Sequence, residues 1–519
     1  MYDIILNNGR IMDGTGNPWY HGDVGIQGDQ IAAIEKLDSG NARRVIDAKG
    51  CVVCPGFVDM HTHSDVMLLS NPKHEPKIMQ GVTTDVIGVD GLSYAPLSAD
   101  NLQMTRKYLC ALNGNPDIEW NWRSVRDYLS RFDRKVAVNV VYLVPHNALR
   151  LGTIGFVDRA AKADELKKMQ EIIAQGMKEG AVGFSTGLDY FPCRYSNKEE
   201  LISICETVAE HNGISMWHVR IRDLGLIDAI NEVIMVGEAT GVKVHFSHYA
   251  ASGPQNKGKS KEILKIIEDA RQRGLDVSFD AYPYISASTT MLILLPRWTH
   301  EGGPDALLAR LADPKTKEKI CKDLRVDQSG WDKIFLNLES TAKNRSYIGK
   351  SLPEAAEQAG KDMAEFVCDI LREEALNVSY VNFVGNEEDV RTIMQNPCHT
   401  SCSDGLLVGE KPNPRGWGSF SRFLSVYCRE LNLLSFEEMI RHMTAAPAQR
   451  LGLTDRGLVK VGLAADLVVF DPKTVKDMAT FEAPTKHPVG VDYVLVNGAV
   501  AVDMGQHTGT LNGRALRKV

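Results

Sequence analysis

Between about Phe57 and about Gly452, short apolar strands alternate with amphipathic helices, and this alternation restricts the fold more than any other feature. The run Cys51–Val58 reads as the first buried strand. Further strand candidates are Thr83–Gly88, Val136–Val144, Ala181–Ser185, Ile214–His218, Val242–His248, Asp276–Tyr282, Tyr380–Val384 and His399–Asp404. Helices fall between them. In Asp164–Lys178, Leu166, Met169, Ile173 and Met177 recur at helical spacing. Segments 199–211, 226–239 and 261–273 do the same and end near Gly213, Gly241 and Gly274, where a helix C-cap belongs. Alternation of this length predicts an α/β fold, a (β/α)8 TIM-like barrel rather than an open sheet. Nine strand candidates compete for eight places, so at least one is extra.

Two regions depart from the rhythm. From about Leu292 to Ile370 the chain is too long for a strand–helix loop, and a lid inserted over the barrel mouth is expected there. At the chain ends the pattern is short strands broken by turns, as in Ile4–Leu6 before Asn7-Asn8-Gly9 and in Val491–Gly498. Residues 1–56 and about 455–519 are therefore expected to pair in one small β-sandwich domain beside a barrel of residues 57–454.

Composition narrows the function classes. The chain has 519 residues, 44% apolar and 24% charged, as in an ordinary globular protein with a large core. A net charge of −7 without a basic stretch excludes a nucleic-acid footprint. No basic segment leads into a long apolar one at the start, so neither a signal peptide nor a membrane span is expected. Ten cysteines in this length are too few for a disulfide scaffold and sit mostly in apolar runs, Cys51-x-x-Cys54 included. A reducing cytoplasm fits them as buried thiols.

Metal ligation is the chemistry the residues suggest. His61 and His63 close the first strand two residues apart, which in extended chain turns both imidazoles to one side. His218 closes Ile214–Trp217, His248 closes Val242–Ser247, and Asp404 closes Thr400–Ser403. In an α/β barrel, residues at the C-terminal ends of strands meet at one mouth. Imidazoles and a carboxylate gathered there would make a site for a divalent cation.

The ordered set resembles the amidohydrolase superfamily, and most closely its N-acyl-D-amino-acid deacylase branch. The similar stretches are Pro55–Asp65, Gly81–Thr84, Ser93–Pro96, Gly183–Tyr190, His218–Arg220, Ser247-His248, Asp280–Tyr284, Ser403–Gly405 and Val494–Gly498. The resemblance implies that His61, His63, His218 and His248 are metal ligands, and that Asp404 is both a ligand and the catalytic proton shuttle. One or two divalent ions are implied, with Zn2+ the expected metal. Two departures stand out. The branch places a ligating cysteine after the second strand, where this chain has Asp90, a harder donor. It also carries a lysine shortly after the second of these later histidines, where this chain reads Tyr249-Ala250-Ala251.

The implied reaction is hydrolysis of the amide of an N-acyl-D-amino acid, a small-molecule substrate. A divalent ion brings the pKa of its water to about 7, and Asp404 passes the proton to the leaving amine. For the substrate's free carboxylate, Arg415 is the leading candidate, with Tyr190, Tyr282, Ser288 and Arg220 as further contacts. Two other readings remain. A cyclic-amide hydrolase of the dihydroorotase or hydantoinase type commonly uses a carboxylated lysine on the fourth strand, and Ala181–Gly187 offers none. A non-catalytic scaffold would bind little metal. Stereochemistry rests on the resemblance alone, and a homo-oligomer is compatible with the sequence.

Overall fold

The computed structural model describes residues 1–338 and 341–518; residues 339 and 340 of the expected insertion and residue 519 of the terminal β unit lie outside them. Eight parallel strands form the central sheet: β1 (Phe57–Asp59), β2 (Val82–Ile87), β3 (Asn139–Pro145), β4 (Gly183–Gly187), β5 (Ile214–His218), β6 (Lys243–Phe246), β7 (Val277–Ala281) and β8 (His399–Ser401). Each pairs with its neighbour in chain order, the topology of a (β/α)8 barrel. The seam between β8 and β1 is drawn together by Met60, whose N–H donates to Ser401 O at 3.3 Å. Beyond it, Thr62–His63 runs parallel to Gly405–Leu406.

Side-chain alternation separates two cores. Val58, Val86, Val141, Leu143, Ile214 and Met216 fill the barrel interior, whereas Val140, Tyr142 and Val144 of the same β3 face the helices. Leu516, near the C-terminus, joins the interior cluster from below, with its N–H donating to Val140 O at 2.8 Å. The helix at Lys198–Glu210 ends in a Schellman motif in which Asn212, at φ 52°, takes the left-handed position expected of Gly213. Gly213 is needed for space instead, because a Cβ there would stand 2.7 Å from Met177 Cε.

Two strand readings change. The run Cys51–Val58 is not one strand: Val52–Pro55 pairs with Leu467–Phe470 in a seven-stranded sheet, and only Phe57–Asp59 enters the barrel. A Cβ on Gly56 at the break would stand 2.1 Å from Thr83 Oγ1. The extra candidate is Tyr380–Val384. It overlaps Val378–Phe383, the central strand of an antiparallel sheet with Ser286–Thr290 and Ile334–Leu338. The segment between β7 and β8 thus carries its own three-stranded sheet, wider than the expected 292–370. Its apolar strand resembles a barrel strand in sequence because it too is buried.

The seven-stranded sheet contains strands from both chain ends, Arg10–Ile11 and Val52–Pro55 with Leu467–Phe470 and Val491–Val496. Val468, Phe470, Val494 and Val496 join the core that includes the outer barrel surface. Leu467, Val469 and Leu495 face the other way, onto Ile4, Leu6, Val24 and Ile26 of a four-stranded sheet. No helix among the described residues is long and apolar enough to cross a membrane.

The packing of Leu516 yields a test. Leu516→Ala removes a plug from the barrel floor and should cost about 2–3 kcal/mol, read as a fall of several degrees in the melting temperature. An unchanged melting temperature would mean that the C-terminal segment does not close the barrel.

Candidate metal centre

Asp90 stands at the focus of the barrel mouth. It sits in the turn Val89–Gly91 after β2, with a left-handed backbone at φ 55°, and its side chain is almost wholly buried. The turn is held from β4, where Ser185 Oγ accepts the Gly91 N–H at 3.0 Å and donates to Gly88 O. Gly187 permits the close approach, since a Cβ there would lie 2.3 Å from Asp90 O.

Four imidazoles surround this carboxylate. His61 Nε2 is 3.4 Å and His248 Nε2 3.6 Å from Asp90 Oδ1; His63 Nε2 and His218 Nδ1 are each 3.6 Å from Oδ2. Asp404 Oδ1 approaches His61 Nε2 at 3.7 Å and His63 Nε2 at 3.5 Å. Ligand atoms about 2.1 Å from a shared ion at a tetrahedral angle stand about 3.4 Å apart, the spacing seen here. His61, His63 and Asp90 form one such group, and Asp90, His218 and His248 a second, so the carboxylate is common to both.

The donor set fits a divalent cation. Both ring nitrogens of His61, Nδ1 of His63 and Oδ1 of Asp90 are buried without a hydrogen-bond partner. A buried polar atom left unpaired costs about 1–3 kcal/mol, which coordination would offset. Imidazole nitrogen and carboxylate oxygen are the donors that zinc, cobalt and manganese accept.

Charge follows the geometry. Burial opposes protonation of His63 and His218, but hydrogen bonding and attraction to Asp404, Asp90 and Asp189 outweigh it, pushing them up to about 9 and about 10. Burial would raise the Asp90 carboxyl, yet His61, His218 and His248 hold it well below the usual range. Asp404 is likewise pushed up by burial but held low, first by the Arg415 guanidinium. Arg415 Nη2 lies 2.8 Å from Asp404 Oδ2, inside the protein.

Strain accompanies this arrangement. Asp90, His248 and Asp404 all have left-handed backbones, at φ 55°, 35° and 46°, each costing on the order of 1–2 kcal/mol for a residue with a Cβ. Neighbours hold them there. Asp404 N–H donates to His61 O at 2.8 Å, and His248 N–H to Asp280 Oδ1 at 2.7 Å.

The remaining sequence-derived residues divide. Arg415 stacks over Tyr282 at 4.5 Å and donates from Nη2 to the Ser288 carbonyl at 3.2 Å, leaving Nε and Nη1 without partners. The Ser288 hydroxyl is turned to Tyr380 O at 2.8 Å, so this residue meets Arg415 through its backbone. Tyr190 packs on His218 with ring centroids 4.8 Å apart and pairs its hydroxyl with Thr289 Oγ1 at 2.8 Å. Arg220 departs from expectation. Its three nitrogens are engaged by Glu232, Arg194 O and Ser196 O, which makes it a loop anchor rather than a substrate contact. Ala250 and Ala251, where the branch's lysine would fall, help line an apolar cleft with Tyr284, Ile285 and Ile393.

Sequence reasoning missed Asp280 as a support, although it is the carboxylate near the end of β7. Its Oδ2 lies 3.1 Å from His245 Nε2 and 3.9 Å from His61 Nδ1. Asp189, with Oδ2 3.6 Å from His218 Nε2, was also passed over.

Comparison with known proteins assigns the chain to a family. The model of the amidohydrolase family matches residues 44–313 and 345–502, most of the chain. This chain belongs to the amidohydrolase family. Over 523 aligned residues it is 35% identical to the D-aminoacylase of Alcaligenes xylosoxydans xylosoxydans, covering 100% of this chain and 98% of the relative. A solved D-aminoacylase structure, described as having a binuclear metal center, superposes with a TM-score of 0.83 at 35% identity and complete coverage of both chains. The N-acyl-D-glutamate deacylase of Bordetella bronchiseptica, solved with zinc and a phosphonate inhibitor, gives 0.84 at 32% identity, again over both whole chains.

Proton linkage tests the donor set. His63 and His218, pushed up to about 9 and about 10, carry protons at pH 7 before a cation arrives. Cation uptake displaces those protons, so affinity should rise as pH rises from 6 to 8. Calorimetric titration of Co2+ into chelator-treated protein, in buffers of different ionisation heat, should show proton release at pH 7. No release would mean that the cation binds elsewhere.

Proposed function

We propose that this amidohydrolase hydrolyses the amide of N-acyl-D-amino acids, giving a carboxylic acid and a D-amino acid. The observation that carries this reading is the Asp404 side chain: one oxygen faces the His61/His63 pair, and the other is ion-paired with a buried arginine. Relatives named D-aminoacylase, N-acyl-D-glutamate deacylase and N-acyl-D-aspartate deacylase, 34% to 35% identical over 96% to 100% of this chain, support the linear amide and the D configuration. A cyclic-amide hydrolase is disfavoured, because β4 carries no lysine.

His61, His63, Asp90, His218, His248 and Asp404 would hold one or two divalent ions, with zinc the expected metal. When bound, such an ion supplies Lewis-acid activation of water and of the scissile carbonyl near neutral pH. Asp404 supplies the proton traffic. Kept ionised by Arg415, its Oδ1 accepts the proton of the attacking water and returns it to the leaving nitrogen, since an amide departs poorly as an anion. Arg415, held over the ring of Tyr282, supplies the cation for the substrate's carboxylate. The segment between β7 and β8 acts as a cover. It brings Thr289 to Tyr190, and its His300 stacks on Phe191 at 3.9 Å, which supports a docked wall over a freely swinging lid.

A panel of N-acetyl-D- and N-acetyl-L-amino acids, with zinc, cobalt and manganese supplied in turn, tests the reading. Turnover of D substrates is expected; turnover of L substrates or cyclic amides alone would refute it. Asp404→Asn should keep the fold and lower kcat by about 10²–10⁴-fold, whereas near-normal turnover would remove Asp404 from proton transfer. Arg415→Ala should raise KM for carboxylate substrates far more than for neutral amides, and equal effects would reject its assignment.

A further inference from the structure

The short segment His74–Gln80 makes hydrogen bonds to the immediate neighbours of both Asp404 and Arg415. Lys77, with no exposed surface, donates from Nζ to Asp59 Oδ2 at 2.7 Å and to Ser403 Oγ. Asp59 Oδ1 accepts the N–H of Ser403 at 2.8 Å and that of His61 at 3.3 Å. Ser403 Oγ donates to Asp59 Oδ2 at 2.5 Å and accepts the Gly405 N–H at 3.1 Å. Ser403 is thus fixed on the buried Asp59 carboxylate and Gly405 on the Ser403 hydroxyl, so the left-handed backbone of Asp404 is held from both sides.

Three residues on, Gln80 reaches the helix Arg415–Arg422. Its Nε2 donates to Gly416 O at 3.0 Å, and its Oε1 accepts the Phe420 N–H at 2.9 Å. A regular α-helix joins these two backbone groups to each other; here a side-chain amide stands between them, next to Arg415. The segment is itself fixed at its start, where His74 Nε2 lies 2.8 Å from Asp85 Oδ2.

We propose that Lys77 and Gln80 are positioning residues on one brace: Lys77 sets Asp404 through Asp59 and Ser403, and Gln80 sets Arg415 through its helix. The inference rests on the roles given above to Asp404 and Arg415, and it predicts that the two halves separate in kinetics. Displacing Asp404 alters chiefly proton transfer, whereas displacing Arg415 alters chiefly carboxylate binding and proton transfer to a smaller degree.

The test uses three variants of the metal-loaded enzyme: Asp59→Asn with Lys77→Met, which removes both charges together; Ser403→Ala; and Gln80→Met. The first two should lower kcat about ten- to a hundred-fold with KM within about threefold. Gln80→Met should raise KM for a carboxylate substrate about tenfold and lower kcat less than Ser403→Ala does, since Arg415 also keeps Asp404 ionised. With Co2+ bound at wild-type stoichiometry, the visible spectrum should shift in the first two variants and stay the same in Gln80→Met. Variants that lose thermal stability but keep wild-type kcat, KM and cobalt spectrum per folded molecule would overturn the proposal. If the double variant does not fold, Ser403→Ala, which lacks one hydroxyl, decides by the same readings. Should the wild-type enzyme cleave no N-acyl-D-amino acid, the substrate reading fails, and a shifted or unshifted cobalt spectrum in Ser403→Ala still decides the Lys77 half.

Discussion

A buried carboxylate encircled by four imidazoles is the constraint on which the rest of this molecule depends. Asp90 lies 3.4–3.6 Å from a ring nitrogen of each of His61, His63, His218 and His248. Taking so many polar groups out of water is unfavourable unless each finds a partner, and the protein supplies too few: several of these atoms have no hydrogen bond. The cluster is organised to receive positive charge, whether as protons or as a metal ion. Burial and mutual attraction act against each other, and attraction prevails, as the high proton affinity of His63 and His218 shows.

Holding that cluster requires a scaffold stiffer than its loops. Asp90, His248 and the adjoining Asp404 adopt left-handed backbone, and each is tied down by hydrogen bonds or close packing from another strand or loop. The barrel supplies the anchor points in order: β1 the paired histidines, β2 the Asp90 turn, β4 the serine and glycine that admit it, β7 the carboxylate under His248. Asp59 and Lys77 close the seam where the first strand meets the last. Strain at the mouth is thus balanced by packing below it.

The strand ends were legible in sequence because an apolar run followed by one polar residue is a local signal. His218 and His248 follow such runs and arrive at the mouth for that reason. Asp90 carried no comparable signal; it follows the strand by three residues, inside a turn that only the resemblance marked. Tyr380–Val384 looked like a barrel strand because burial, not topology, writes the apolar pattern. The supports were hidden for another reason. Lys77 meets Ser403 and Gln80 meets Phe420 across separations of 326 and 340 residues, and nothing local distinguishes a lysine that ends buried from one facing water. Arg220 shows the opposite error, since its nearness to His218 in sequence suggested a role that Glu232 and two carbonyls already occupy.

Whether these six side chains hold metal around one shared carboxylate is decided most directly by anomalous diffraction. Crystals equilibrated with Co2+ and measured on either side of the cobalt edge should show a peak, or a pair of peaks, within about 2.0–2.2 Å of Asp90 oxygens and of the facing imidazole nitrogens. Density that avoids Asp90, or no anomalous peak in the barrel mouth at saturating cobalt, would contradict the account.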